Sequence, residues 1–227
     1  MNSTELLALF RSEVRDDAAP YLWSDTEVFS YMDDAQKMFC RLGGGIADST
    51  SAVTTLAVTA GDIFITISPL ILKLRDVRVT STGRIIDVLN FEDLNYANMY
   101  GTDYGRSYSY SLDASTGRID AVVVGMEPNK IRLIRIPTED ESLSLITYRM
   151  PLNTINAVAQ DFEIDEQHHR HLLYWMKHLA HQKQDAETYD RGRSDAFRAE
   201  FMAYCDQAKA ERARREHKPR AVMYGGL

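Results

Sequence analysis

The chain has 227 residues, 44% hydrophobic and 26% charged, with a net charge of −7; this length and balance suit a globular fold with one substantial core, or one core and a satellite. No apolar run approaches the roughly 18 residues of a membrane helix. The opening "MNSTELLALFRSEVRDD" lacks the regions of a signal peptide, and Cys40 and Cys205 make neither a disulfide framework nor a metal knuckle. A chain made and folded in a reducing cytoplasm is expected. The charge is uneven: Gln207–Leu227 carries six Lys/Arg against Glu211 and Glu216, net +4, whereas residues 1–206 carry 20 basic against 31 acidic groups, net −11. Such a body repels nucleic acid, and such a tail seeks an anionic surface.

Residues 2–42 predict two helices. Leu6, Leu7, Phe10 and Val14 recur at helical spacing after the cap candidates Asn2 and Ser3. "APYLWSDTE" breaks that helix and starts another: Ser24 and Glu27 form a capping box, with Trp23 placed to staple onto Val28. Val28, Met32, Ala35, Phe39 and Leu42 continue the stripe until Gly43, Gly44 and Gly45 stop it.

From about residue 50 to 150 the period falls to two, as in Leu56/Val58, Ile63/Ile65/Ile67 and Val77/Val79. "STGR" occurs at 81–84 and 115–118, each time before a β-branched run, and reads as hairpin chemistry rather than a phosphate loop. "SPLILKLRD" suggests one turn leading into a strand, and "NFEDLNYANMY" a short helix. From Arg106, "RSYSYSL", "RIDAVVVGM", "KIRLIRI" and "SLSLITYRM" suggest a four-strand meander.

Pro151 ends the strands. Asp165 is a candidate cap for a helix to about Lys183, and Ser194 for another carrying Phe197, Phe201, Cys205 and Ala208 on one face; "QDAETYDRGR" between them is short enough for an antiparallel hairpin. Five of the six histidines (His168, His169, His171, His178 and His181) fall on the first of these helices. At 100° per residue, Leu172, Met176 and Leu179 share one side, while His171, His178 and His181 fall opposite, on an expected solvent face. A helical zinc pair needs i, i+4 spacing, which no two of them have, and Glu166-x-x-His169 is half of a di-iron motif without its second half. A solvated face is expected, not a ligand set.

Other catalytic signals are no stronger. "GGGIAD" lacks the Gly-Lys-Ser/Thr of a P-loop, no G-x-S-x-G occurs, and the acids at Asp16/Asp17, Glu92/Asp93 and Glu139–Glu141 sit where turns and caps use them. Tyr96, Tyr100, Tyr104, Tyr108 and Tyr110 fit either a polar loop running into an edge strand or a contact surface with a neighbouring molecule. The basic end "KAERARREHKPRAVMYGGL" lacks the interleaved aromatics of a nucleic-acid platform. It suits docking on a partner, with a disordered solubility tail as the alternative.

"YLWSDTEVFSYMDDAQKMFCR", "NKIRLIRIPTEDESLSLITYRMP" and "FEIDEQHHRHLLYWMKHLAHQKQDAETYDRGRSDAFRAEFMAYCDQA" jointly, in order and spacing, resemble the head-to-tail adaptor (connector) proteins of tailed bacteriophages. The resemblance implies an α+β fold, with terminal α-helices packed as a bundle around a central antiparallel β-rich insertion. Expected segments are a helical hairpin over 1–48, the insertion over 49–152, a second hairpin over 153–208 and a basic docking arm over 209–227. It further implies a non-enzymatic virion protein of the neck, without metal or cofactor, forming a dodecameric ring below the portal. Its partners would be the portal, its own copies, a downstream tail or nozzle protein, and DNA that passes without sequence-specific binding; no membrane is involved. By tail position, Arg212, Arg214, Arg215, Lys218, Arg220 and Tyr224 are the candidate portal contacts, and the five tyrosines candidate subunit or neck-protein contacts. The alternatives are another neck or tail-completion protein, or a cell-wall hydrolase or metal enzyme built on the histidine helix.

Overall fold

The computed structural model describes residues 1–92, 115–184 and 188–216, and divides the chain into two compact units, Met1–Gly45 with Pro151–Leu227, and Ile46–Met150. The fold is α+β.

In the first unit, α1 (Ser3–Val14) begins with an Asn2/Glu5 capping box and α2 (Asp25–Gly43) with the expected Ser24/Glu27 box. Gly44 ends α2 at φ 96°, a left-handed conformation that costs glycine nothing. Leu6, Phe10, Val28, Met32, Ala35 and Phe39 are buried as their spacing predicts. The expected single helix from Asp165 is two pieces, α3 (Glu166–His169) and α4 (Leu172–Ala180), separated at Arg170 and His171. α5 (Arg191–Glu216) starts three residues before Ser194: Asp190 caps it, its carboxylate accepting from the Arg193 N–H at 3.0 Å.

Contacts fix the helix directions. Met1 meets α3 at Glu166 and His169, the Trp23 indole donates to the Ala180 carbonyl at the end of α4 at 3.2 Å, and α5 passes from Ser194 beside His178 to Tyr204 beside His168. α1 and α4 therefore run one way and α2 and α5 the other, an up-down-up-down bundle with the β unit inserted between α2 and α3. α4 touches α1, α2 and α5, so the expectation of a solvent-facing histidine side fails. His168, His169 and His178 are buried, and His171 and His181 half-buried. A helix surrounded on three sides has no free face for imidazoles to occupy, and the projection from sequence assumed one apolar side.

The second unit is one eight-stranded sheet: β1 (Ile46–Asp48), β2 (Thr55–Val58), β3 (Phe64–Thr66), β4 (Ile71–Val79), β5 (Ile85–Asn90), β6 (Ala121–Glu127), β7 (Lys130–Ile134) and β8 (Glu141–Arg149). The order is β1-β8-β4-β5-β6-β7-β3, and β2 also pairs with β8. The first "STGR" is a hairpin turn as expected, with Gly83 at φ 67° between β4 and β5. The second is not a hairpin: Thr116 bridges Ile136 in parallel just before β6. Nor do the strands form a wholly antiparallel meander. β5 and β6 are parallel, a pairing that requires a crossover rather than a tight turn, and β8 leaves β7 to lie between β4 and the β1/β2 flank. The expected strand "RSYSYSL" and most of the expected helix in "NFEDLNYANMY" lie outside the described residues.

The sheet explains its own composition. Val122 and Val124 join the main cluster with Val77, Ile86, Leu143 and Leu145, whereas Ala121 and Val123, on the other face of β6, pack with Ile134, Leu89 and Phe91. A strand buried on both faces reads as a continuous apolar run, as "AVVV" does.

Candidate docking interface

The segments that carried the resemblance fold into joints. In "WSD", Trp23 donates to the carbonyl that ends α4, Ser24 caps α2, and Asp25 pairs with Arg11 of α1. Arg11 is buried, donates to Asp16 at 2.6 Å and to the Trp23 carbonyl at 3.0 Å, and lies 3.7 Å from the centroid of the Tyr21 ring. In "YRMP", Arg149 pairs with Asp48, so β1 and β8, the entry and exit strands of the β unit, are tied by side chains as well as by their ladder. Burial alone would raise the Asp48 pKa, but bonds from the Ser51 hydroxyl, the Thr50 N–H, Arg149 and the Ser51 N–H outweigh it and lower it far below the usual carboxylate range.

Four of the five histidines form the seam between α5 and the α3–α4 pair, while His169 bonds the Met1 and Ile164 carbonyls instead. His171 stacks on Tyr204 at 3.5 Å, His181 on Phe197 at 5.8 Å, and His168 bonds the Tyr204 hydroxyl at 2.8 Å. Ser194 Oγ lies 2.9 Å from His178 Nδ1, the spacing of a nucleophile and its base. Yet Ser194 is 1% exposed, and its hydroxyl donates to the His178 carbonyl at 2.9 Å. The pair is buried between the arms of the helical hairpin and ties them together. Cys205 is equally inert: burial, with Asp206 adding to it, pushes its thiol up to about 12.

Among the described residues no three His, Cys, Asp or Glu side chains gather as a metal site, and no helix is long and apolar enough to cross a membrane. A cleft of about 50 Å³ beside His168 is the size of a water site, and a depression of about 390 Å³ beside His181, Tyr189 and Arg191 is lined by polar residues, unlike the apolar pockets that hold small molecules.

The remaining candidate is the basic end of α5. Its 26 residues make a helix about 39 Å long. Ala208 is buried and Arg212 half-buried, with Arg212 Nη1 close to Gly44 at the end of α2, whereas every residue of the last turn, 213–216, is exposed. Arg214 and Arg215 therefore stand in solvent at the negative end of a helix dipole, where cations are favoured. Arg41, exposed one turn before Gly44, belongs to the same end of the bundle. It was missed because a lone arginine before a glycine stop reads only as dipole complement. Guanidinium groups bind carboxylates in a fork, so this end is equipped for an acidic protein surface. Lys218, Arg220 and Tyr224, and the tyrosines at 96, 100, 104, 108 and 110, lie outside the described residues.

A search of curated proteins finds no match. The sequence model of the SU10 adaptor protein family matches residues 1–223, nearly the whole chain. The chain belongs to the SU10 adaptor protein family and is a phage structural adaptor.

Proposed function

We propose that this adaptor is a head-to-tail connector without catalytic activity, assembling as a dodecameric ring below the portal. The ring continues the DNA channel, offers the attachment site for the tail, and docks on the portal through the basic end of α5 and the residues after it. Its partners are the portal ring, neighbouring copies and a downstream tail or nozzle protein, all within the virion neck. The observation that carries this reading is the pairing of a family match over residues 1–223 with a basic helix end whose last turn is exposed. An acidic body suits a channel through which DNA slides, since phosphate binding needs Lys and Arg to release counterions. Many identical weak contacts around a ring add to a firm attachment.

The test is the mass of the protein by light scattering, alone and with the cognate portal ring. The expected result is a portal complex gaining about a dozen copies, the number that the proposed twelve-fold ring would add. Substituting Arg214, Arg215, Lys218 and Arg220 with Glu should abolish that gain. These positions are preferable to deletion from Gln207, which would remove the buried Ala208 and unsettle the helix itself. No association at any salt concentration would sink the reading.

A further inference from the structure

The histidine seam has a property that docking does not use. We propose that His168, His171 and Tyr204 form a proton-sensitive clasp that fastens the C-terminal half of α5 to α3 and α4, and that loosens on acidification. His168 is 8% exposed, between the Phe39 ring of α2 at 4.6 Å and Tyr204 of α5. With the Gln167 amide as placed, its nitrogen donates to His168 Nε2 at 3.2 Å. His168 Nδ1–H then donates to Tyr204 Oη at 2.8 Å, and the Tyr204 hydroxyl to the Gln167 carbonyl at 3.4 Å. Each donor has an acceptor with the imidazole neutral. A second proton, on Nε2, would face the Gln167 amide N–H and require that amide to turn its oxygen inward.

The surrounding charges are mixed. Asp165 at the start of α3 and Glu211 of α5 favour the imidazolium of His168, while Arg212 and His171 oppose it. Arg215 lines the same cleft, and α2 contributes Phe39 and Gly43 there, without charge. His171 faces Arg170 on its own side and packs between Tyr174 and Tyr204. Burial decides the balance: it is the leading cause holding both histidines below the ordinary imidazole value of 6.5. Such a group is neutral in the clasped state, so below about pH 6.5 the released state takes up protons that the clasped state does not, and the clasp weakens. The N-terminal half of α5 has other holds, namely Ser194 on His178, Phe201 on Trp175, and Phe197 beneath the Lys177 ammonium. The C-terminal half also buries Cys205 and Ala208, so the part that carries Arg212, Arg214 and Arg215 would loosen rather than detach.

The experiment uses the full chain and does not depend on the portal. Hydrogen-exchange protection, corrected for intrinsic rates, is followed between about pH 7.5 and about pH 5.5, the range in which imidazole titrates. A several-fold loss confined to amides 204–216 is expected, with α2 amides steady, and His168→Phe with His171→Phe should remove the pH dependence. Equal dependence in that variant, or none in the native chain, overturns the proposal. Should the variant fail to fold, the ring ¹⁵N shifts of native His168 decide alone: a neutral ring protonated on Nδ1 near neutral pH supports the clasp, and a charged ring defeats it.

Discussion

Among the described residues, the helical unit and the β unit each bury an arginine–aspartate pair, and the two pairs do different work. Arg11 joins α1 to the loop ahead of α2 and reaches three partners, Asp16, Asp25 and the Trp23 carbonyl. It is one of several polar keys in its unit, with Trp23 on Ala180, Trp175 on Asp34, Lys177 on Glu13 and His178 on Ser194. Helices exchange no backbone bonds with one another, so their mutual register rests on side chains. The β unit is held by its ladders and an aliphatic cluster, and its Asp48–Arg149 pair closes only the strands where the chain enters and leaves. Keyed packing thus appears where the backbone offers no register, and generic packing where it does.

The contrast can be broken from either side. The largest effect should come from Arg11→Ala, which leaves Asp16 buried without its cation. A loss of about 3–5 kcal/mol is expected, read in urea unfolding by the helical signal, and a loss below 1 kcal/mol would show that water and the Leu22 and Trp23 N–H groups satisfy Asp16 without the arginine. In the β unit, Leu145→Ala opens a cavity at a fully buried strand position and should cost about 2–5 kcal/mol. Exchange at the β4 and β8 amides measures it, and unchanged protection would mean that the cluster closes over the gap. Trp23→Phe keeps the ring packing against Phe10 but removes the indole bond to the Ala180 carbonyl, leaving it only the long bond from the Lys183 N–H, for about 1 kcal/mol. The cap substitutions Ser24→Ala and Asp190→Ala should each cost about 1 kcal/mol, and the Asp190 result tests whether α5 does start ahead of Ser194.

Acid sharpens the same comparison. Asp48 is held below its ordinary value in the folded state, so its stabilising contribution is complete above the unfolded carboxylate range near pH 4. It is lost as pH falls through that range toward the folded value. Asp48→Asn should flatten the acid limb of stability at strands β1 and β8, which residue-resolved exchange would reveal, and an unaltered limb would show that other carboxylates govern it.

By itself the sequence determined the local pieces and the charge layout. Capping boxes, glycine stops, the α2 stripe and the first "STGR" turn are decided within a few residues, by backbone bonds and side-chain spacing that need no distant partner. The basic end was equally legible, because exposed charge is counted rather than folded. Strand pairing was not legible: "AVVV" announces burial on two faces, but nothing local says that β5 and β6 run parallel or that β8 crosses to β4. The histidines show the same limit. The spacing of His171, His178 and His181 placed them opposite a leucine face, and only the arrival of α5 on that side turned a supposed solvent face into a seam. Which face of a helix meets water depends on how many neighbours it has, and that number is a property of the assembled bundle rather than of the helix.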